Sequence, residues 1–190
     1  MDLKALPNLL TLARIAVIPA IIGVLFLPGD GARWTALGLF AAASVTDYFD
    51  GWLARHLQAH SRLGALLDPI ADKLIVAAVL AMLVAQGAVG GMHVIAAIAI
   101  LLRELAISGL REFLAADRIE LKVSVLAKWK TTLQMIAIGL LLVPFAPGDT
   151  VHVAALGALW LAALLSVWTG AAYAAGTYQH WAVTPQGRDT

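Results

Sequence analysis

Asp47, Asp50, Asp68 and Asp72 place four carboxylates within twenty-six residues of a chain that is otherwise strongly apolar. On insertion scales an aspartate at the bilayer centre costs about 2.5–3.5 kcal/mol, so charge kept in such a setting is by default functional. Asp47 and Asp50 are three residues apart, and Asp68 and Asp72 four apart. Both spacings put the pair on one face of a helix. Antiparallel neighbouring helices joined by a short loop would bring the two pairs into one pocket. Uncompensated, four carboxylates repel one another and take up protons. Two divalent cations would balance them, and an all-oxygen donor set suits Mg²⁺ or Mn²⁺ rather than Zn²⁺.

The elements that must hold these residues are membrane helices. Of 190 residues, 61% are hydrophobic and 13% charged, against about 25% charged in soluble domains. Spans need about twenty apolar residues each. Six are predicted, at 8–27, 34–54, 66–86, 92–112, 127–145 and 152–175. Their breaks are Pro28-Gly29-Asp30-Gly31, His56 to Arg62, Gly87 to Gly91, Asp117 to Ser124 and Pro147-Gly148-Asp149. The expected fold is therefore an all-α integral membrane protein, one domain over residues 1–190 with a polar tail at 176–190. The first apolar run continues past signal length without a clear cleavage site, so no signal peptide is expected. The chain has no cysteines, which excludes disulfides, zinc–thiolate sites and iron–sulfur clusters.

Charge fixes the expected orientation. With the N-terminus inside, Lys4, Arg14, Arg55, Arg62, Lys73, Arg103, Arg111, Arg118, Lys122, Lys128, Lys130 and Arg188 all fall on the inner side, and Arg33 alone on the outer. This asymmetry predicts N-in, C-in topology. It puts the four aspartates at the cytoplasmic ends of helices 2 and 3.

The full run Asp47-x2-Asp50-Gly51-x2-Ala54-Arg55-x8-Gly64-x3-Asp68-x3-Asp72 resembles, without a departure, the signature of the CDP-alcohol phosphatidyltransferase family. The resemblance implies a six-helix membrane enzyme, usually a homodimer, that displaces CMP from a CDP-linked lipid with an alcohol nucleophile. It further implies that Asp47, Asp50 and Asp68 hold metal. Asp72 would contact the second metal and act as base on the acceptor hydroxyl, while Gly51, Arg55 and Ser61 would contact the CDP moiety. The chemistry suits these types. Two metals can neutralise a pyrophosphate, polarise its phosphorus and stabilise the leaving CMP, and Arg55 offers a planar donor fork to phosphate oxygens.

Other polar residues interrupt the apolar frame. In helix 1, Asn8 and Thr11 share a face. Capping and interfacial anchoring account for them, and the resemblance implies instead that they border the nucleotide pocket. Lys73 reads as a lysine snorkelling to the interface. In helix 4, Glu104, Ser108 and Arg111 form one stripe, and in helix 5 Lys128, Thr131 and Thr132 share a face. Arg103, Arg111, Lys128 and Lys130 lie on the aspartate side and would suit the phosphate of a phosphorylated acceptor. A structural Arg–Glu network is the plainer reading. His56 and His60 are not taken as a metal pair, because the oxygen cluster already accounts for a metal. The last helix looks generic.

The runs PNLLTLAR, VTDYFDGWLAR, LLDPIADKL, RELAISGLREF and VSVLAKWKTTLQM together resemble the branch of the family that acts on a phosphorylated glycerol. This implies CDP-diacylglycerol and sn-glycerol 3-phosphate as substrates, in the bacterial cytoplasmic membrane with the site facing the cytoplasm. Inositol phosphate, serine and phosphatidylglycerol remain alternative acceptors, the cationic stripes weighing against serine. No nucleic-acid partner is expected. A divalent-cation transporter would also carry intramembrane carboxylates, but it requires polar residues through the bilayer. Here the acids cluster at one side.

Overall fold

A computed structural model of the chain describes residues 6–57, 62–116 and 125–183; within these, the side chains of 6–9, 48–57, 62–63, 65–66, 116, 125, 127–128 and 179–183 lie outside the description. The described residues form six helices: α1 Leu6–Leu25, α2 Asp30–Leu57, α3 Arg62–Ala85, α4 His93–Ala116, α5 Val125–Leu142 and α6 Thr150–Val183. A helix stands at each of the six predicted positions, and three of the predicted breaks turn on glycines with positive φ. Gly29 (φ 95°) ends the α1–α2 turn, Gly87 and Gly91 bracket the α3–α4 turn, and Gly148 (φ 94°) precedes α6. At these positions any other residue would be strained. Asp149 closes its turn by accepting from Ala146 N–H through Oδ2 at 3.0 Å.

α6 extends further than its sequence suggests. A polar tail is predicted from 176, yet the helix runs to Val183. No proline or charge interrupts Ala174 to Val183, and the Thr177 hydroxyl bonds back to Tyr173 O at 3.0 Å within the helix.

The bundle has two packing centres, α1 and α6. α1 packs against both α2 and α3, α5 against α6, and α4 against α6. Direct contact between α2 and α3 is slight among the described residues. The two aspartate-bearing helices thus share few close backbone contacts, yet Asp47 of α2 and Asp72 of α3 still come together at one Arg14 nitrogen and line one cavity. A short connection makes two helices sequential neighbours, but the apolar faces of α2 and α3 both find their partner on α1. Ile21 of α1, Leu80 and Leu83 of α3, Ile138 and Leu141 of α5 and Leu159 of α6 are among the fully buried side chains of the resulting core.

Two helices, over His93–Ala115 and Thr150–Tyr178, are long and apolar enough to cross a membrane; Leu10–Leu25 and Trp129–Leu142 are shorter apolar stretches. Their outward faces are apolar as well. Leu102, Leu105, Leu164 and Trp168 are each more than 60% exposed. Large apolar side chains this exposed on the two long apolar helices suit lipid as the surrounding solvent.

The end of the bundle that carries the helix-connecting glycines is tied shut. Arg33 Nη2 donates to Leu141 O at 2.7 Å, Gln86 Nε2 donates to Leu25 O, and Trp160 Nε1 donates to His93 Nδ1 at 3.0 Å. These ties clamp α1, α2, α3, α4, α5 and α6 at one end and leave the aspartate end to form the cavity.

Candidate active site

Arg14 is the centre of the carboxylate cluster. It sits on α1, two turns in, with its side chain 2% exposed. A single nitrogen, Nη1, lies 2.6 Å from Asp47 Oδ1 on α2 and 2.9 Å from Asp72 Oδ1 on α3. α1 thus joins the two acidic helices through one cation. One turn before it on the same face, the buried Thr11 donates its hydroxyl to Asp68 Oδ1 at 2.5 Å. α1 therefore orients three of the four carboxylates. Both residues follow from the wedge position, since a helix packed between two acidic faces needs donors on both sides.

A cavity of about 560 Å³ opens beside this cluster, and Arg14, Asp47, Asp72, Lys73, Glu104 and Arg111 are among the residues that line it. A second cavity of about 310 Å³ lies between α3 and α4 and shares Pro69, Lys73, Glu104 and Arg111 with the first. Lys73 lines both, its exposed Nζ donating to Pro69 O at 3.0 Å.

The cations expected to hold an acceptor phosphate divide into two groups. Arg111 is exposed and lines both cavities, its guanidinium 5.6 Å above the Tyr173 ring of α6, a cation–π distance. Arg103 and Lys130 are instead engaged internally. Glu104 accepts from Arg103 Nη1 at 3.1 Å and from Lys130 Nζ, which is buried. Arg103 also donates from Nε to Ser166 O at 3.0 Å and from Nη2 to Thr169 Oγ1 at 3.2 Å. The plainer expectation of an Arg–Glu network describes these two residues. The side chains of Asn8, Asp50, Gly51, Arg55 and Lys128, and all of Ser61, lie outside the described residues.

Three oxygen-donor carboxylates, Asp47, Asp68 and Asp72, are thus held at one end of the bundle by α1. Among the described residues no three His, Asp or Glu side chains stand close enough together to enclose a metal ion; the fourth carboxylate, Asp50, is outside them. The hard, all-oxygen character of the set still fits Mg²⁺ or Mn²⁺.

Arg14 appeared in the sequence only as one inner-side cation. A sharper signal was present: an arginine inside an apolar helix is expensive, and it lies three residues from Thr11, on the same face. α6 was missed altogether. Its Ser166, Thr169 and Gly170 contact Arg103, but small polar residues are common at contacts between membrane helices and carry little signal alone.

The profile of a family described as CDP-alcohol phosphatidyltransferase matches residues 4–168. A Rickettsia bellii protein named CDP-diacylglycerol–glycerol-3-phosphate 3-phosphatidyltransferase is 44% identical over 170 residues, covering 88% of this chain and 92% of its own. A Haemophilus influenzae protein of the same name is 38% identical over 166 residues, 86% of this chain and 88% of its own. A cardiolipin synthase (CMP-forming) of Oryza sativa subsp. japonica is 34% identical over 186 residues, covering 90% of this chain and 56% of its own.

Proposed function

The chain belongs to the CDP-alcohol phosphatidyltransferase family, and from that premise we propose how its cavity performs phosphatidyl transfer. The enzyme transfers the phosphatidyl group of CDP-diacylglycerol to sn-glycerol 3-phosphate, giving phosphatidylglycerophosphate and CMP. The observation that supports the mechanism is that both charge types line one cavity: Asp47 and Asp72, joined by Arg14, together with Arg111 and Lys73.

Asp72 takes the proton of the sn-1 hydroxyl of glycerol 3-phosphate. The oxygen so released attacks the β-phosphorus of CDP-diacylglycerol, the phosphoanhydride bond breaks, and CMP leaves with the electron pair. Arg111 holds the phosphate of the acceptor, with Lys73 beside it and Lys128 from the first turn of α5. Asp47, Asp50, Asp68 and Asp72 are the residues to hold two divalent cations. When bound, these supply charge neutralisation of the pyrophosphate and stabilisation of the leaving group. Gly51, Arg55 and Ser61, with Asn8 and Thr11, border the CDP moiety in this reading. The sites on α1 and α3 start near helix N-termini, and those on α2, α4 and α6 lie toward C-termini, as an alternating bundle requires if all face one side.

Assay of purified protein tests both metal and acceptor. CDP-diacylglycerol is offered with sn-glycerol 3-phosphate, inositol phosphate, serine or phosphatidylglycerol, and CMP release is followed with Mg²⁺, Mn²⁺ or EDTA. Turnover is expected with glycerol 3-phosphate and divalent metal, and none after chelation. Turnover that persists in EDTA sinks the metal assignment. Turnover only with phosphatidylglycerol, the arm suggested by the cardiolipin synthase likeness, reassigns the acceptor. Turnover only with an uncharged acceptor removes the role given to Arg111 and Lys128.

The enzyme is placed in the bacterial cytoplasmic membrane as a six-span N-in, C-in protein with the cavity toward the cytoplasm, and as a homodimer in keeping with the family. The inner-side excess of Lys and Arg supports the orientation. Because the chain has no cysteine, a single Asp149→Cys variant reports topology directly. It should react with a membrane-impermeant maleimide in intact spheroplasts; labelling only after lysis contradicts the orientation.

A further inference from the structure

On α6, Ser166, Thr169, Gly170 and Tyr173 follow at i, i+3, i+4 and i+7, one helix face. That face meets the two arginines of α4. Arg103 reaches it through Nε to Ser166 O and Nη2 to Thr169 Oγ1, and Arg111 lies over Tyr173. The approach depends on Gly170. A Cβ there would sit 3.0 Å from Arg103 Cγ and 3.2 Å from Nε, with Ile107 Cγ1 at 3.6 Å. At those distances the Arg103 side chain must give by a few tenths of an ångström, and Nε, one of the crowded atoms, is itself a donor to α6.

The consequence runs into the cavity. Arg103 Nη1 and the Lys130 ammonium hold the Glu104 carboxylate from opposite helices, α4 and α5. Glu104 lines both cavities beside Arg111. A rigid arginine fork is suited to this work, because several of its five donors can be fixed at once.

Resting on the glycerol 3-phosphate reading above, we infer that this face of α6 is a positioning device for the acceptor site. Gly170 and Thr169 set Arg103, Arg103 sets Glu104 and with it Lys130, and Tyr173 sets Arg111. None of the α6 residues touches substrate in this scheme. They determine where the charges that meet the acceptor phosphate stand, and leave the Asp47–Arg14–Asp72 cluster, which they do not contact, unchanged.

Steady-state kinetics with a double-mutant cycle tests this. Gly170→Ala is expected to raise KM for sn-glycerol 3-phosphate about tenfold, with kcat and KM for CDP-diacylglycerol within about twofold of wild type, since a misplaced binding group costs affinity in both ground and transition states. Arg103→Ala should do the same. Because it removes the atoms that the new Cβ would strike, Gly170→Ala should add nothing further in the Arg103→Ala background. Thr169→Val should also raise KM for the acceptor, and Thr169→Ser should restore it. Additive effects of Gly170→Ala and Arg103→Ala overturn the inference, as does an equal loss in kcat and both KM values with a lowered melting temperature in Gly170→Ala and Thr169→Val. A wild-type enzyme that ignores glycerol 3-phosphate overturns the acceptor reading and this inference together, whereas a wild type that uses it with unmoved variant KM values overturns this inference alone.

Discussion

Asp72→Asn is expected to lower kcat by about 10²–10⁴-fold, the range for removing a positioned general base, with the protein still folded. The substitution is nearly isosteric, and the amide oxygen can still accept from Arg14 Nη1, now 2.9 Å from Asp72 Oδ1. It removes the proton acceptor and one unit of negative charge from the cavity wall. The Asp72 side chain is 50% exposed, so it reaches the cavity and is not merely a buried partner for Arg14. CMP release with saturating CDP-diacylglycerol and glycerol 3-phosphate measures the loss, and thermal unfolding in detergent checks the fold. Full activity in the variant would exclude Asp72 as the base.

Arg14→Gln should be the most damaging change to the cluster as a unit. It withdraws the cation that, among the described residues, joins α1, α2 and α3 at the site, and leaves Asp47 and Asp72 facing each other. Breaking a buried ion pair by removing one partner costs about 3–5 kcal/mol. Here the carboxylates are 44% and 50% exposed, and solvent screening lowers the expected cost to about 2–3 kcal/mol. The stabilisation of the protein by added Mg²⁺ or Mn²⁺ should be larger in Arg14→Gln than in wild type, because the carboxylates then lose the cation paired with them. Since one nitrogen serves both aspartates, Arg14→Lys should recover part of the lost stability. Melting temperatures of the three proteins with EDTA and with metal decide this. Equal metal-dependent shifts in wild type and Arg14→Gln would show that Arg14 does not balance the cluster.

Much of the site was legible before any fold was known, and for a physical reason. Charge in an apolar chain is costly, so Asp47, Asp50, Asp68 and Asp72 stand out whatever surrounds them, and helix periodicity alone pairs them by face. The six helices and the glycine turns at Gly29, Gly87 and Gly148 were legible too, because runs of apolar residues and positive-φ positions are local properties. The split among the basic residues was not. Arg103, Arg111 and Lys130 look alike in the sequence, and only their surroundings separate the exposed Arg111 from the two that Glu104 engages.

What the amino-acid sequence determined by itself was which residues carry charge, on which helix face, and at which end of the bundle. Tertiary structure alone decided what stands between them. Sequence neighbours α2 and α3 share few close contacts; each packs on α1, which carries Arg14 and Thr11 to their carboxylates. α6, whose serine, threonine and glycine are commonplace in an apolar helix, becomes part of the site only because α4 lays Arg103 across Gly170. Periodicity fixes the direction in which a side chain leaves its own helix. Which helix it then meets depends on packing among all six, and no local stretch of sequence encodes that.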